Sequence, residues 1–215
     1  NKCTYNHNYQ PLRNICVPLS IDETKRLDIL KETNLLDTNN NDPEFDRYTS
    51  LCKRTFKTKT VIITLVGMDR NWFKSRIGFD DSDAERIDSF CTYASLPQSP
   101  DVYVILDSLK SDIFKNNKFV VGPPYIRFYA GARIIVAGSI IGSFCITDPN
   151  PRTSFSLSEQ MLLLSFGAMV SNAIVMRRSR ELRLRDKVDR PLRMKFYTDM
   201  HFLSLKHNLR TPVSN

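Results

Sequence analysis

The sequence predicts an α+β fold that is built on a central antiparallel sheet and ends in a long helix. Helical spacing dominates the first quarter of the chain, short β-branched segments fill the middle, and the last third is helical again. Strands that follow one another through turns pair antiparallel, whereas regular alternation with helices would predict a parallel sheet. A length of 215 residues leaves room for one such domain with appended segments.

Two helices are predicted before the first strand. The first starts at the capping-box pair Ser20 and Glu23 and runs to about Thr33. The second starts near Pro43, because proline suits the first turn of a helix. Its apolar residues recur at helical spacing: Phe45, Cys52 and Phe56.

Five segments are predicted to be strands. The first, 61–66, is almost continuously apolar, which is typical of a central strand covered on both faces. Between the last two strands, Ala137-Gly138 has the composition of a hairpin turn, since glycine tolerates positive φ. The other four predicted strands are 72–77, 102–106, 127–136 and 139–147.

The last third of the chain is predicted to be helical. Ser156 and Glu159 form a second capping-box pattern before an apolar stretch, which then becomes basic and continues to about Asp189. Pro191 is expected to kink or restart this helix. A final helical segment is predicted over 192–209.

Charge is concentrated at the C-terminal end. The net charge is +8, and residues 176–215 alone carry eleven Lys or Arg against four Asp or Glu. Aromatic residues do not interleave this basic run as a single-strand stacking surface requires, so nucleic-acid binding is not expected. No signal pattern or membrane span is recognised, and a cytoplasmic location is predicted.

The five cysteines lack the spacing of a metal site. They are scattered and odd in number, which predicts reduced thiols and no bound metal. They are Cys3, Cys16, Cys52, Cys91 and Cys145.

Several short motifs follow one another through residues 20–175. They are 23–38, Phe45-Asp46-Arg47, 69–74 with Gly78, Ser89-Phe90-Cys91, 124–132 and 141–148. In this order they resemble the landmarks of bacterial-type GAF sensor domains. The resemblance implies helices on one face of the sheet and a ligand pocket under loops on the other, but it names no ligand or cofactor.

The resemblance divides the chain into three parts. Residues 1–19 are predicted to be an irregular leader, 20–175 a GAF-like sensor domain, and 176–215 a basic signalling helix with the start of a phosphoacceptor segment.

The sequence His207-Asn208-Leu209-Arg210-Thr211-Pro212 resembles the phosphoacceptor box of histidine kinases. In that family the histidine accepts a phosphoryl group from ATP, and a residue four positions later positions water for dephosphorylation. The resemblance therefore nominates His207 and Thr211. Asn208 stands where the family has an acidic residue, and an amide cannot act as a base at neutral pH. No catalytic residue is expected in this fragment itself.

The resemblance implies that ligand contacts of a GAF-type pocket come from the segment between the second and third strands, the long loop after the third strand, and the facing strands. Aromatic rings there could stack on a planar ligand, and polar groups could fix its edge. For Cys91 and Cys145 the favoured role is that of small buried apolar residues. The candidates are Phe90, Cys91, Tyr93, Asp107, Phe128, Tyr129, Ser143 and Cys145.

The leading hypothesis is a regulatory sensor module of a histidine kinase, which acts as a homodimer through residues 159–205 and couples to an ATP-binding domain in a longer protein. An unknown small-molecule ligand is a further expected partner. Three alternatives stay open: a ligand-free dimerisation domain, a thiol-dependent reductase that uses Cys91 or Cys145, and the regulatory domain of another output enzyme such as a nucleotide cyclase.

Overall fold

The computed structural model describes residues 22–39 and 42–208. Helices α1 (Glu23–Glu32) and α2 (Pro43–Phe56) come first, and the long helix α5 (Leu157–Asn208) comes last. Between them lie strands β1 (Thr60–Val66), β2 (Arg70–Ile77), β3 (Asp83–Glu85), β4 (Val102–Ile105), β5 (Phe128–Val136) and β6 (Ser139–Asp148), with the short helices α3 (Phe90–Ala94) and α4 (Lys118–Val121).

The six strands form one antiparallel sheet in the order β3-β2-β1-β6-β5-β4. Strand β1 is central, and all its residues are buried, as its continuous apolar run predicts. The hairpin between β5 and β6 turns at Ala137 and Gly138, which both have positive φ. The predicted α+β fold is confirmed, and β3 is the one strand that the sequence did not predict.

One face of the sheet packs against α1, α2 and the first part of α5. The residues that meet there are almost all apolar, so this face is the main hydrophobic core. Its members from the three helices include Leu27, Leu30, Phe45, Cys52, Leu163, Phe166 and Val170.

The opposite face carries a second, smaller core. Its cover consists of α3, α4 and the loops beside them, not of long helices. This cover contributes Phe90, Cys91, Phe114 and Val120, which pack on Ile62, Phe73, Tyr129 and Cys145 of the sheet.

A buried ion-pair network holds α1 against the sheet. Glu23 Oε1 accepts hydrogen bonds from Arg26 Nη2 at 2.7 Å and from Arg86 Nη1 at 2.6 Å. The same guanidinium groups also donate to backbone carbonyls at the end of β1, from Arg26 to Val66 and from Arg86 to Gly67. The predicted Ser20 cap lies outside the described residues, and Glu23 binds arginines.

A buried lysine ties the segment before α2 to the sheet. Lys74 on β2 is 1% exposed. Its Nζ lies 3.0 Å from Asp42 Oδ2 and donates to Thr38 Oγ1 and to the Asn39 carbonyl, both at 2.9 Å. Asp42 also caps α2 by accepting from the Glu44 amide.

The start of α5 is fixed by the predicted capping box. The Ser156 amide donates to Glu159 Oε2 at 2.7 Å, and the Glu159 amide donates to Ser156 Oγ at 3.3 Å. The helix then runs through Pro191 to Asn208, so the predicted end near Asp189 is wrong. Proline removes one amide donor, but its fixed φ is compatible with continued helix.

The chain divides into two compact units, and the division falls between Ile174 and Val175 within α5. In the first unit, one face of α5 is buried in the main core, through residues spaced three or four positions apart in successive turns. By length and hydropathy alone, the part of α5 over Leu157–Arg190 is also long and apolar enough to span a membrane. Within it, a stretch of 18 residues has a mean hydropathy of 1.3, and 33% of that stretch is buried in the protein. The absence of a membrane span stays a prediction.

Candidate functional site

The candidate site lies in the second core, where α3 meets β5 and β6. Cys91 on α3 and Cys145 on β6 place their sulfur atoms 3.5 Å apart. Both residues are buried, at 5% and 1% exposure. They are 54 positions apart in sequence, and the sheet brings them together because β6 pairs beside β1 and β5 under α3.

Hydroxyl groups surround the two sulfurs. The Tyr129 hydroxyl donates to Cys91 Sγ at 3.5 Å and lies 3.4 Å from Ser143 Oγ. Thr64 Oγ1 lies 3.3 Å from Cys91 Sγ. Gly131 makes room for the tyrosine, since a Cβ at that position would lie 2.3 Å from the Tyr129 hydroxyl oxygen. The result is a small cluster of polar groups inside an apolar core.

These contacts shift the pKa values of the two thiols in opposite directions. The hydrogen bond with Cys145 lowers the pKa of Cys91, and the hydroxyls of Ser143, Thr64 and Tyr129 act in the same direction, against the effect of burial. The pKa of Cys145 is raised by the same pairing and by burial. Cys91 is therefore the more acidic member of the pair.

Aromatic rings pack around this polar cluster. Phe90 stacks on Phe114 at 4.2 Å between ring centroids and on Tyr129 at 5.1 Å. Tyr93 meets Phe114 edge-on at 4.9 Å, and Tyr103 meets Tyr129 at 6.4 Å. In the described protein the rings therefore stack on one another, in the region where a planar ligand was expected to lie.

The structure brings together six of the eight predicted site residues and separates two. Phe128 points to the other face of the sheet and packs in the main core. Asp107 lies at the end of β4 and forms a two-pronged ion pair with Arg127, at 2.7 and 2.9 Å. The six that share the second core region are Phe90, Cys91, Tyr93, Tyr129, Ser143 and Cys145.

The phosphoacceptor candidates lie at the end of the described chain. His207 belongs to the backbone of α5, and Thr211 lies outside the described residues.

Sequence reasoning missed Thr64 and Phe114 as site residues. Thr64 carries a usable signal, because period-two alternation in β1 places it on the same face as Ile62. Phe114 stands in a polar loop, and nothing in its local sequence distinguishes it.

The rest of the described chain contains a surface groove but no cluster of metal-ligating side chains. Within 22–39 and 42–208, no group of three or more His, Cys, Asp or Glu side chains is placed to hold a metal ion. A surface groove of about 580 Å³ lies at the end of α2. Its lining is partly basic and comes from Ser50, Lys53, Arg54, Lys57, Thr58 and Ile77.

Comparison with known proteins gives one curated relative of high similarity. A cyclic di-GMP phosphodiesterase of Pseudomonas aeruginosa is 32% identical over 175 residues, which cover 81% of this chain. The match covers 28% of that enzyme, so the chain spans little more than a quarter of its relative's length.

Solved structures show the same fold at low identity. A free methionine-R-sulfoxide reductase from Neisseria meningitidis superposes with a TM-score of 0.54 and 12% identity, over 72% of this chain and 91% of that one. A domain from a Sinorhizobium meliloti protein described as a two-component sensor histidine kinase gives a TM-score of 0.52 and 15% identity, over 68% and 99%. At such identities the likeness concerns the fold alone.

Residues 38–174 match the family model of the GAF domain, which is well over half of the chain. The match covers the sheet from β1 to β6, α2, both short helices and the first part of α5. The chain belongs to the GAF domain family of sensor domains.

Proposed function

We propose that this chain is the sensory part of a histidine kinase, in which the GAF domain passes a signal along α5 to His207. The observation that carries the proposal is the continuity of α5. It starts within the GAF core and stays helical to Asn208, so His207 belongs to the same helix as the core residues Leu163 and Phe166. A change in the packing of the domain then becomes a shift or rotation of the helix that presents the histidine.

The sequence around His207 supports this output. The histidine is followed by Arg210, Thr211 and Pro212, in the order of a phosphoacceptor box. Its imidazole would attack the γ-phosphoryl group of ATP, which an ATP-binding domain of the parent protein supplies. ATP as the phosphoryl donor implies a cytoplasmic location.

The signal proposed for the domain is a small molecule, or a chemical change in the second core. A ligand has to displace or rotate the rings of Phe90 and Phe114, which are stacked 4.2 Å apart. Binding would then act directly on α3, which contains Phe90 and Cys91. Movement of α3 against β6 is the proposed first step of signalling.

A parallel homodimer through α5 is part of the proposal. Several apolar side chains on this helix are exposed in the single chain. Four positions recur at intervals of seven residues, the spacing that keeps one seam of a helix facing a partner helix. They are Met161, Ala168, Val175 and Leu182, all exposed.

A second candidate output follows from the curated relative. The Pseudomonas aeruginosa protein that shares 32% identity over 175 residues is a cyclic di-GMP phosphodiesterase. In this alternative proposal the protein that carries this chain hydrolyses the same class of substrate, and the GAF domain regulates that hydrolysis.

One experiment separates the two outputs. The full-length gene product that contains this chain is incubated with radiolabelled ATP and, separately, with cyclic di-GMP. The kinase proposal predicts an acid-labile, base-stable label that is lost in the H207Q variant. The matched control is H201Q, which changes a histidine on the same helix six residues earlier and keeps the label.

The possible results point in different directions. Label at His207 without dinucleotide hydrolysis supports the kinase. Hydrolysis of cyclic di-GMP without label overturns the kinase and supports the phosphodiesterase. Label that persists in H207Q overturns the assignment of His207.

A further inference from the structure

The proposed function names a chemical change in the second core as one of two signals, and this core contains a pair of thiols. Cys91 Sγ and Cys145 Sγ are 3.5 Å apart, which is contact distance for two sulfur atoms. They belong to different elements, a five-residue helix and a central region of the sheet. In the described chain Cys52, Cys91 and Cys145 are all free and buried.

We propose that Cys91 and Cys145 are a redox-active dithiol that a hydroperoxide oxidises to an intramolecular disulfide. A disulfide needs a sulfur separation of about 2.05 Å, so the two atoms have to approach by about 1.5 Å. Rotation of the two side chains, with a small displacement of α3, accounts for such a movement. Helix α3 is short, and its first turn is held by the Ser89 hydroxyl, which accepts from the Cys91 amide at 3.3 Å.

The surroundings favour Cys91 as the attacking sulfur. The hydroxyls of Thr64 and Tyr129 contact Cys91 Sγ, and the Ser143 hydroxyl contacts that of Tyr129. These hydroxyl groups can donate hydrogen bonds to a Cys91 thiolate. The hydrogen bond with Cys145 lowers the pKa of Cys91 most, burial opposes this effect, and the three hydroxyls lower the pKa further. The thiolate is the reactive form of cysteine. The pKa of Cys145 is raised, so Cys145 enters second.

The reaction balances in two steps. The Cys91 sulfur attacks the outer oxygen of the hydroperoxide, the O–O bond breaks, and the alkoxide leaves as an alcohol with the thiol proton. Cys91 is then a sulfenic acid. The Cys145 sulfur attacks the Cys91 sulfur, the S–O bond breaks, and the hydroxide leaves as water with the Cys145 proton. The two thiols lose two electrons and two protons, and the hydroperoxide is reduced to alcohol and water.

The third described cysteine serves as an internal control. Cys52 lies on α2 in the main core, on the other face of the sheet. Burial raises the pKa of Cys52 to about 12, so it stays a protonated thiol at neutral pH. It has the same side chain and similar burial, but within the described residues its thiol forms no hydrogen bond to a sulfur or a hydroxyl like those of Cys91.

The test is oxidation of the full 215-residue chain with hydrogen peroxide. The reduced protein is treated, quenched and alkylated under denaturing conditions, and its intact mass and peptide map are recorded. The expected product has lost the mass of two hydrogen atoms, links the Cys91 and Cys145 peptides, and returns to the dithiol with dithiothreitol. Cys52 is alkylated to the same extent before and after oxidation.

Two variants sharpen the result. In C145A both the resolving thiol and its hydrogen bond to Cys91 are absent, so Cys91 is expected to react more slowly, to stop at the sulfenic acid and to be trapped by dimedone. C52A is the matched control and should give the same linked peptides as the unchanged protein. The proposal is overturned if both Cys91 and Cys145 remain alkylatable while other residues gain oxygen. Pairing of Cys91 with Cys3, Cys16 or a second chain also overturns it. The mapping of the unchanged protein decides the question even if C145A does not fold.

Discussion

Glu23 shows how one buried carboxylate can organise the start of the fold. Its side chain is 13% exposed and binds two arginines, one of them 63 residues away. Burial on its own would raise the pKa of Glu23, but the hydrogen bonds from Arg26 and Arg86 outweigh it and lower the pKa to about 2. The ionised form is therefore stabilised by folding.

This shift predicts how stability depends on pH. The folded pKa lies below the ordinary value of 4.5, so the contribution of Glu23 is complete above pH 4.5 and is lost as pH falls towards 2. At neutral pH, E23Q should lower the free energy of unfolding by up to about 3 kcal/mol. Urea unfolding at several pH values measures the difference between the two proteins.

The difference should shrink as pH falls from 4.5 towards 2, because the glutamate of the unfolded protein takes up a proton in this range while Glu23 of the folded protein is still ionised. The matched control is D28N, which changes an exposed carboxylate on the same helix and should leave the unfolding midpoint almost unchanged. A constant difference between E23Q and the unchanged protein from pH 7 to pH 3 would contradict the assignment of the charge.

At the scale of elements, Lys74 connects the segment before α2 with β2. Its ammonium group has a carboxylate and two further oxygen atoms as partners, and it is almost completely buried. Removing one partner of a buried pair leaves the other charge in a poorly solvated position. The Asp42 carboxylate would be the group affected, and it also caps α2.

We therefore expect K74M to lower the free energy of unfolding by about 3 kcal/mol. Chemical denaturation monitored by circular dichroism measures the effect. K59M is the control, since Lys59 is an exposed lysine beside the same sheet, and it should change stability by less than about 0.5 kcal/mol. Equal midpoints for the two variants would show that the Lys74 contacts contribute nothing.

The element boundaries show where local sequence suffices. The capping box at Ser156 and Glu159 and the Ala137-Gly138 turn were both predicted, because each depends on residues within one turn of chain. Strand β3 was missed, since only its pairing of Asp83–Glu85 with β2 makes it a strand. At Pro191 the sequence predicted an interruption of the helix, but α5 continues through this residue.

At the scale of the whole molecule, the proposed homodimer makes a prediction that two neighbouring leucines can test. Leu182 belongs to the seven-residue row, and Leu184 lies two positions further, on the opposite side of the helix. They are 52% and 62% exposed in the single chain. We expect L182E to raise the dimer dissociation constant at least about tenfold, because it places a charge in the interface.

L184E introduces the same charge two residues further along the helix, on the opposite side, and should leave the dissociation constant within about threefold. Sedimentation equilibrium measures both values. Similar weakening by the two variants would contradict the proposed seam, and a monomeric unchanged protein at micromolar concentration would contradict the dimer itself.

The sequence predicted most of the residues of the candidate site, but it did not predict how they are arranged. Six of the eight nominated residues share the second core region, and they were nominated through the resemblance, not through any local pattern. Phe128 was separated from its neighbour Tyr129 because adjacent strand residues point to opposite faces. Asp107 lies outside this region, where its carboxylate forms an ion pair with Arg127.

Sequence alone determined the fold class, most helix and strand positions, and membership of a sensor family, because these depend on periodicity and caps within a few residues. Tertiary structure decided the contacts between distant parts of the chain. The 3.5 Å approach of Cys91 to Cys145 spans 54 positions, and the pairing of Glu23 with Arg86 spans 63. Both contacts require the strand order β3-β2-β1-β6-β5-β4, which is selected by burying both faces of one sheet and not by any single segment.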